Sequence, residues 1–391
     1  MFYLGIDVGR YHHAAALADP RGATVALLPQ FPATAEGFLT LRSFVQRHLP
    51  PGEQLRVGIE ATGPYWQPLA RWLSLQSWPC VVDNPIKASS LRNYGIRGAK
   101  TDRIDAVLIA QALRWEDKAP RERLHHSALE LRHLTRLHTH LVKERTRASL
   151  RIDSLLASLF PELPLLLPKK RSSPTTLAIL EAAPSPAKAL ALGLRALTTL
   201  LRRTSRGKLG QARARRILNA ARRSVGVPSP AAEIALTLLV AQLRLLNEQI
   251  DSLEKNIFDL YSRLELPLHS LPGVGLLLAA VLAAELGSVH LFARPQQMVA
   301  FAGIDPKLRQ SGSLQGQVRM SKRGSRYLRR AIYLACQNAV RTDDHFKALY
   351  ERHLARSKPP RRALGAVMNH FVHVLFAIWR DNRAYVPLTS S

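Results

Sequence analysis

Four carboxylates stand out by type and position. Asp7 ends the strand-like run FYLGID, Glu60 ends RVGIE, and Asp102 and Asp105 lie three residues apart in AKTDRIDAVLIAQAL. On a helix, that spacing puts the last two on one face. The chain around them carries 56 Lys and Arg against 28 Asp and Glu, a formal net charge of +28. Each cation that meets a phosphate releases a condensed counterion, so such a chain suits polyanions. Carboxylates gathered within it suit hard cations held against phosphate, the setting of metal-assisted phosphodiester chemistry. Singly, each acid also fits a structural role: an Asp after a strand caps a turn, and Asp102 can cap its helix or pair with Arg103.

The rest of the composition narrows the class. A chain of 391 residues with 47% hydrophobic content can fill two or three domain cores. Its two cysteines, Cys80 and Cys336, show no CxxC spacing, which argues against a zinc site and a disulfide scaffold. The N-terminus reads as a strand, not a signal peptide, and the apolar run Leu276–Ala284 is too short to span a bilayer. These features lead us to expect a soluble, cytoplasmic, nucleoid-associated protein with no membrane partner. Charge is uneven: the balance is +3 over residues 1–120, +13 over 121–265 and +12 over 266–391. That asymmetry suits a catalytic domain joined to parts that grip nucleic acid.

The first 120 residues read as α/β. Strands are expected at FYLGIDVG, HAAALAD and TVALLPQF, then a helix over Ala35–His48 and a strand from Leu55 that delivers Glu60. A helix over Tyr65–Gln76, a strand at WPCVVDN and an amphipathic helix TDRIDAVLIAQALRW with Thr101 as N-cap complete the segment. Acids at two strand ends and on a closing helix give the ribonuclease H-like layout. LGIDVG alone is ambiguous, because actin-like sugar kinases open on a similar strand. Their second Gly-rich phosphate loop and adenosine-binding Gly pair have no counterpart here. His12 and His13 are expected to fill the turn after the first strand.

Residues 121–265 read as a helical coiled-coil region. From Leu236, the positions Leu239, Leu243, Leu246, Ile250, Leu253, Ile257 and Leu260 alternate threes and fours as a heptad seam does. A looser seam runs through Leu134, Leu141, Ala148 and Leu155, and the two helices are expected to pack antiparallel, within one chain or across a dimer. Between them lies a basic insert, about 165–230. Eleven Lys and Arg and no acid fall between Glu181 and Glu233. Arg202, Arg203, Arg215 and Arg216 belong to this phosphate-gripping block. The histidines at 125–140 read as a solvated helix face more readily than as a metal site.

Residues 266–391 read as an α-helical domain. LPGVG, with Gly273 and Gly275, resembles the hairpin of a helix-hairpin-helix, whose glycine amides hold a phosphate without reading bases; a plain turn before a buried helix fits equally. In SKRGSRYLRRAIYLAC, Lys322, Arg323, Arg326, Arg329 and Arg330 lie in or beside a helix with an apolar opposite face, a pattern for gripping phosphate.

Asp7 in GIDVG, Glu60 in IEATGPY and the pair in KTDRIDA, preceded by Lys100, resemble the DEDD-type insertion-sequence transposases. That family includes Piv-type DNA invertases and bridge-RNA-guided recombinases. The blocks LPGVGLLLAAVLAAELG, FARPQQMVAFAGIDP, QSGSLQG and SKRGSRYLRRAIYLAC follow in the family's order; residues 160–230 match weakly. The resemblance implies a RuvC-like N-terminal domain and a C-terminal transposase domain with an essential serine. By motif match that serine is Ser311 in QSG, beside Gly312, where a glycine lets a phosphate approach closely. Local sequence does not separate it from Ser313.

The resemblance further implies that the serine attacks a DNA phosphodiester, with the tetrad holding Mg2+ or Mn2+, and that a structured non-coding RNA guides the reaction. The expected partners are therefore DNA, a guide RNA and a second copy in a dimer or tetramer, with the tetrad and serine meeting within one chain or across protomers. Three other readings stay open: a RuvC-like junction nuclease acting by water attack, a site-specific invertase, and a non-catalytic nucleic-acid-binding regulator.

Overall fold

Alternating apolar residues shape the first strands. In β1 (Phe2–Val8), Phe2, Leu4, Ile6 and Val8 are buried in one core, so Tyr3, Gly5 and Asp7 point to the other sheet face. β2 (His12–Ala18) and β3 (Thr24–Pro32) continue antiparallel, while β4 (Leu55–Glu60) and β5 (Cys80–Asp83) run parallel to β1. The five-stranded order is β3-β2-β1-β4-β5. In this computed structural model, the described residues are 1–60, 63–78, 80–83, 101–115, 126–311, 314–356 and 359–387. The chain forms two compact units, Met1–Arg123 and Leu124–Ser391.

One face of the sheet is covered by α1 (Ala35–His48) and α2 (Trp66–Leu75), which bring Phe38, Leu41, Phe44, Leu69 and Leu73 onto Leu4, Ile6, Val57 and Ile59. The other face is covered by α3 (Asp102–Trp115). Small residues meet there: Ala14 and Ala16 pack against Ala106. A Cβ on Gly5 would overlap the Ala106 carbonyl oxygen and the Ala110 amide nitrogen, and one on Gly58 would come 2.7 Å from Leu113 Cδ1. Both glycines are therefore required by close approach. His12 and His13 do not fill a turn; they begin β2, and His13 is buried with its ring 5.3 Å from Phe31 and 6.1 Å from Phe38. Burial pushes its pKa down, which keeps the ring neutral and lets it replace an apolar side chain.

The second unit is organised by two long helices, α4 (His126–Leu159) and α8 (Pro230–Ser262). They are antiparallel within one chain. Leu131, near the start of α4, shares a core with Ile257 and Tyr261 at the end of α8, whereas Ile152 and Leu156 share one with Leu236 and Val240. The α8 seam is Leu236, Val240, Leu243, Leu246, Ile250, Leu253, Ile257 and Tyr261, with Val240 in place of the expected Leu239 and Tyr261 in place of Leu260. His138 is buried between them, its Nε2 2.9 Å from Glu254 Oε1, so this histidine does not belong to a solvated face.

Three helices, α5 (Pro174–Ala182), α6 (Pro186–Thr204) and α7 (Gln211–Arg222), pack on one end of the pair. On the other end lie α9 (Leu276–Leu286), α10 (Pro295–Ala302), α11 (Arg326–Thr342), α12 (Asp344–Ala355) and α13 (Pro360–Asp381). By length and composition α13 could cross a membrane, but Val367, Phe371, Val372 and Leu375 lie in this core. The expectation of an all-helical C-terminal part is corrected by a two-stranded antiparallel sheet, β6 (Pro306–Ser311) and β7 (Leu314–Met320).

The glycine contact gives a stability test. Gly5→Ala forces a methyl into helix backbone and is expected to cost about 1–3 kcal/mol. Gly275→Ala, where an added Cβ meets nothing within 4 Å, should shift the urea midpoint little. Equal midpoints for the two variants would refute the packing argument.

Candidate active site

The parallel register of β1 and β4 aligns two of the acids. Ile6 pairs with Ile59, so Asp7 and Glu60 each follow the last paired residue on neighbouring strands. Both are half-buried, and alternation turns both toward the α3 face, each two residues beyond a glycine that face requires. Thr101 Oγ1 accepts from the Ile104 amide, which starts α3 where the sequence predicted. Asp102 and Asp105 then fall in its first turn, where the helix dipole favours anions. Asp105 is 3% exposed, whereas Asp102 is exposed. Ala14, the cross-strand partner of Asp7, packs against Ala106, so Asp7 and Asp105 belong to neighbouring positions across the helix–sheet contact.

Asp7 and Glu60 thus stand side by side at one rim of the sheet, and Asp102 and Asp105 lie in the first turn of the helix that covers the same face. Among the described residues, no group of three or more His, Cys, Asp or Glu side chains is drawn together tightly enough to enclose a metal ion. The donor set is nevertheless all carboxylate oxygen, the type preferred by Mg2+ and Mn2+. Asp83, not singled out from the sequence, ends β5 paired with Glu60. The signal was present, since VVDN places an acid after an apolar strand just as GID and GIE do. Lys100 lies outside the described residues.

In the second unit, Ser311 ends β6 and pairs with Leu314 across the connection Gly312–Ser313, which lies outside the described residues. The pairing register shifts between Arg309 and Ser311. The serine therefore belongs to a strand end, not a long polar loop. A two-residue Gly-Ser link followed by alternating LQGQVRM was the available hairpin signal. The base of the hairpin is tied: Ser321 Oγ donates to Asp305 Oδ1, and the Lys322 amide donates to the Gly303 carbonyl at 2.9 Å.

The expected phosphate contacts divide by exposure. Lys322, Arg323, Arg326 and Arg330 are exposed beside the N-terminus of α11. Arg329 is half-buried and donates to the carbonyls of Ala302 and Gly324 at 3.2 and 2.8 Å, a bracing role for the loop. Gly273 is held at φ +75° against α11, where an added Cβ would come 2.6 Å from the Ala339 amide nitrogen, while Gly275 is exposed at the start of α9. Arg202, Arg203, Arg215 and Arg216 are all exposed on α6 and α7.

Residues 4–161 match a family model described as transposase, and residues 266–351 match one described as transposase, IS116/IS110/IS902 family. The insertion element IS110 uncharacterized 43.6 kDa protein of Streptomyces coelicolor is 32% identical over 73% of this chain and 72% of its own length. This chain belongs to the IS110 family of transposases. The insertion element IS900 uncharacterized 42 kDa protein of Mycobacterium paratuberculosis is 30% identical over 78% of this chain and 76% of its own. The pilin gene-inverting protein of Moraxella lacunata is 32% identical over 30% of this chain and 38% of that protein. In the IS110-family chain, all four acids and Ser311 fall inside the matched stretches, and residues 162–265 fall outside them.

One further acid lies inside the second stretch. Glu285, 2% exposed, lies in the last turn of α9, where the helix dipole disfavours a negative charge. Arg136 of α4 donates to both its oxygens, at 2.7 and 3.0 Å, and Ser325 Oγ donates at 2.6 Å. Ser325 also caps α11, and Arg132 donates to the carbonyls of Ala284 and Glu285 at 2.9 and 3.1 Å. The Arg136 guanidinium then stacks 4.9 Å over Tyr327. Thus one buried carboxylate ties the long-helix pair to the start of the basic helix. Burial raises its pKa, but the bonds from Arg136 and Ser325 and the two arginine charges hold it below the ordinary carboxylate range.

Glu285→Ala is expected to cost roughly 2–4 kcal/mol, less than a fully buried pair because Arg136 is 41% exposed. A lowered folded-state pKa means stability is present above the unfolded value, about 4.3, and lost as pH falls below it. The gap between the urea midpoints of the wild type and Glu285→Gln should therefore hold from pH 7 to pH 5 and close only as the pH is taken below about 4.3. A gap that stays constant would rule out the ion pair as its source.

Proposed function

We propose that this IS110-family transposase cleaves and rejoins DNA strands with Ser311 as nucleophile and Asp7, Glu60, Asp102 and Asp105 as ligands for Mg2+ or Mn2+. The observation that supports the reading is that Asp7 and Glu60 end neighbouring parallel strands, each two residues after a glycine packed under α3, whose first turn carries Asp102 and Asp105. Bound there, the ion would supply Lewis-acid polarisation of phosphoryl oxygen. The Ser311 hydroxyl loses its proton as its oxygen attacks phosphorus. The bond from phosphorus to the leaving oxygen breaks and that oxygen takes up a proton, giving a phosphoserine diester and a free DNA hydroxyl. Attack of another DNA hydroxyl on that diester restores the serine and joins the new strand.

The exposed Lys322, Arg323, Arg326 and Arg330 are suited to the phosphates flanking the scissile bond. A net charge of +28 exceeds what one short duplex contact requires, which supports a structured guide RNA as a second polyanion. Joining two DNA sites supports a homo-oligomer, a dimer or tetramer. Because the heptad seam is filled within one chain, that assembly would use other surfaces. Similarity to the Moraxella inverting proteins favours DNA inversion as a second reading of the same chemistry.

Strand excision and joining on element ends should fall by on the order of 10³-fold or more in Ser311→Ala and in Asp102→Ala. Denaturing gels of stalled wild-type reactions should show a protein–DNA adduct, and peptide mapping should place it at Ser311. Cleavage that persists in Ser311→Ala without an adduct would instead establish hydrolysis by water.

A further inference from the structure

The helices α6 and α7 lie outside the family-matched stretches and bury Leu197, Leu201, Ala214, Ile217 and Leu218 in the core at one end of the long-helix pair. Their outer surface has one sign of charge. On α7 and its C-cap residue Arg223, the arginines Arg215, Arg216, Arg222 and Arg223 are exposed together with Asn219. At about 100° per residue these five positions fall within an arc of about 120°, along about 12 Å of helix. The turn between the helices adds Arg206 and Lys208, both exposed, and the Arg202 Nε lies 3.5 Å from where a Cβ on Gly210 would stand, at the start of α7. Basic groups of α6 and the turn thus reach the start of α7, whose exposed arc carries the further arginines.

Among the described residues, Arg202, Arg203, Arg206, Arg215, Arg216 and Arg223 form no ion pair with a carboxylate. The acids that flank this block are engaged: Glu233 with Lys188 at 3.0 Å, and Glu181 with Arg244 at 2.6 Å. A solvated face ordinarily mixes signs, whereas this one leaves its cations available to an outside anion.

A second observation selects the kind of polyanion. From residue 161 to residue 257 the chain contains no Phe, Tyr, Trp or His. Unpaired bases are held by stacking on aromatic rings along a positive groove, and this patch offers none. What remains is a rigid helical face of guanidinium groups, which bind phosphate oxygens bidentately and hold their charge at any physiological pH. Such a surface reads backbone and shape without sequence.

We propose that the α6–α7 pair is a docking surface for double-stranded nucleic acid, gripping the phosphate backbone independently of sequence. This inference rests on the reading of the chain as a nucleic-acid recombinase, and adds to it a separate site with a duplex as its ligand.

The test is the salt dependence of binding by the full-length chain in EDTA. The probes are a random-sequence DNA duplex, an RNA duplex of the same sequence, and the unpaired DNA strand. Arg215→Gln/Arg216→Gln/Arg222→Gln/Arg223→Gln should reduce the slope of log K against log salt by about two to four on a duplex. The quadruple Lys variant, with charge retained, should keep most of the slope. The DNA and RNA arms show which duplex uses the patch. Arg202→Gln/Arg203→Gln/Lys208→Gln reads the same surface from α6 and the turn should the α7 variant not fold. An unchanged slope on both duplexes, or an equal loss on the unpaired strand, would overturn the proposal while leaving the recombinase reading in place. Wild-type protein that bound none of the three probes would overturn both.

Discussion

The close approach of α3 to the sheet is the contact on which the carboxylate rim depends. Carboxylates that share a hard cation must bring oxygens to within 2–3 Å or so of one point. Asp side chains are short, so the backbones that carry them must come near each other. Gly5, Gly58, Ala14, Ala16, Ala106 and Ala110 remove the side-chain bulk that normally separates a helix from a sheet. That choice costs stability, since alanine and glycine bury little apolar surface. The opposite face of the same sheet offsets it with Phe38, Phe44, Leu41, Leu69 and Leu73 against Leu4, Ile6 and Ile59. One face of the sheet thus gives the unit its stability, and the other is kept thin for the acids.

The second unit shows the same economy with a charged group. Glu285 is an unfavourable residue by burial and by its place at a helix C-terminus. Its retention is explained by what it joins: α4 through Arg136, and the cap of α11 through Ser325. A wholly apolar contact would stabilise the same helices without fixing their register or orientation. The carboxylate sets both, because Arg136 must present two donors and Ser325 one. The hairpin that ends in Ser311 is tied at its base to Gly303 and Asp305, just before α11 begins. Ser311 and the basic residues 322–330 therefore rest on a short, braced stretch of chain.

Much of this was legible in the sequence, for identifiable reasons. The strands and helices of residues 2–115 carry clean periodicity, and the acids follow at their ends. The antiparallel long helices were readable from heptads, although their pairing within one chain was not, because a seam pattern is the same in either case. His13 was misread because polarity suggests a turn, while a neutral ring packed on Phe31 and Phe38 behaves as an apolar residue. The β6–β7 hairpin was missed because Lys307, Arg309 and Gln310 mask the alternation of its first strand. Gly273 drew attention as a phosphate-binding glycine, whereas its tight fit against α11 follows only from tertiary packing. The glycine two residues before Asp7 and before Glu60 was visible in both strands, but its meaning needed the helix above it.

The charge distribution resolves a conflict between the two tasks. Carboxylates meant for a metal are poorly served by neighbouring Lys and Arg, which would pair with them and compete with the ion. Phosphate, in turn, is repelled by uncompensated acids. Residues 1–120, which carry the rim, have a balance of only +3, and the remaining +25 lies beyond them. Within that remainder, Glu285 is matched by Arg136, and no acid occurs between Glu181 and Glu233. Under the proposed metal-binding role, segregation would spare the acids competition from neighbouring cations while the rest of the chain would supply attraction for phosphate. A chain with the same net charge spread evenly would weaken both, since each acid would find a cation before it met a metal and each cation an acid before it met a phosphate.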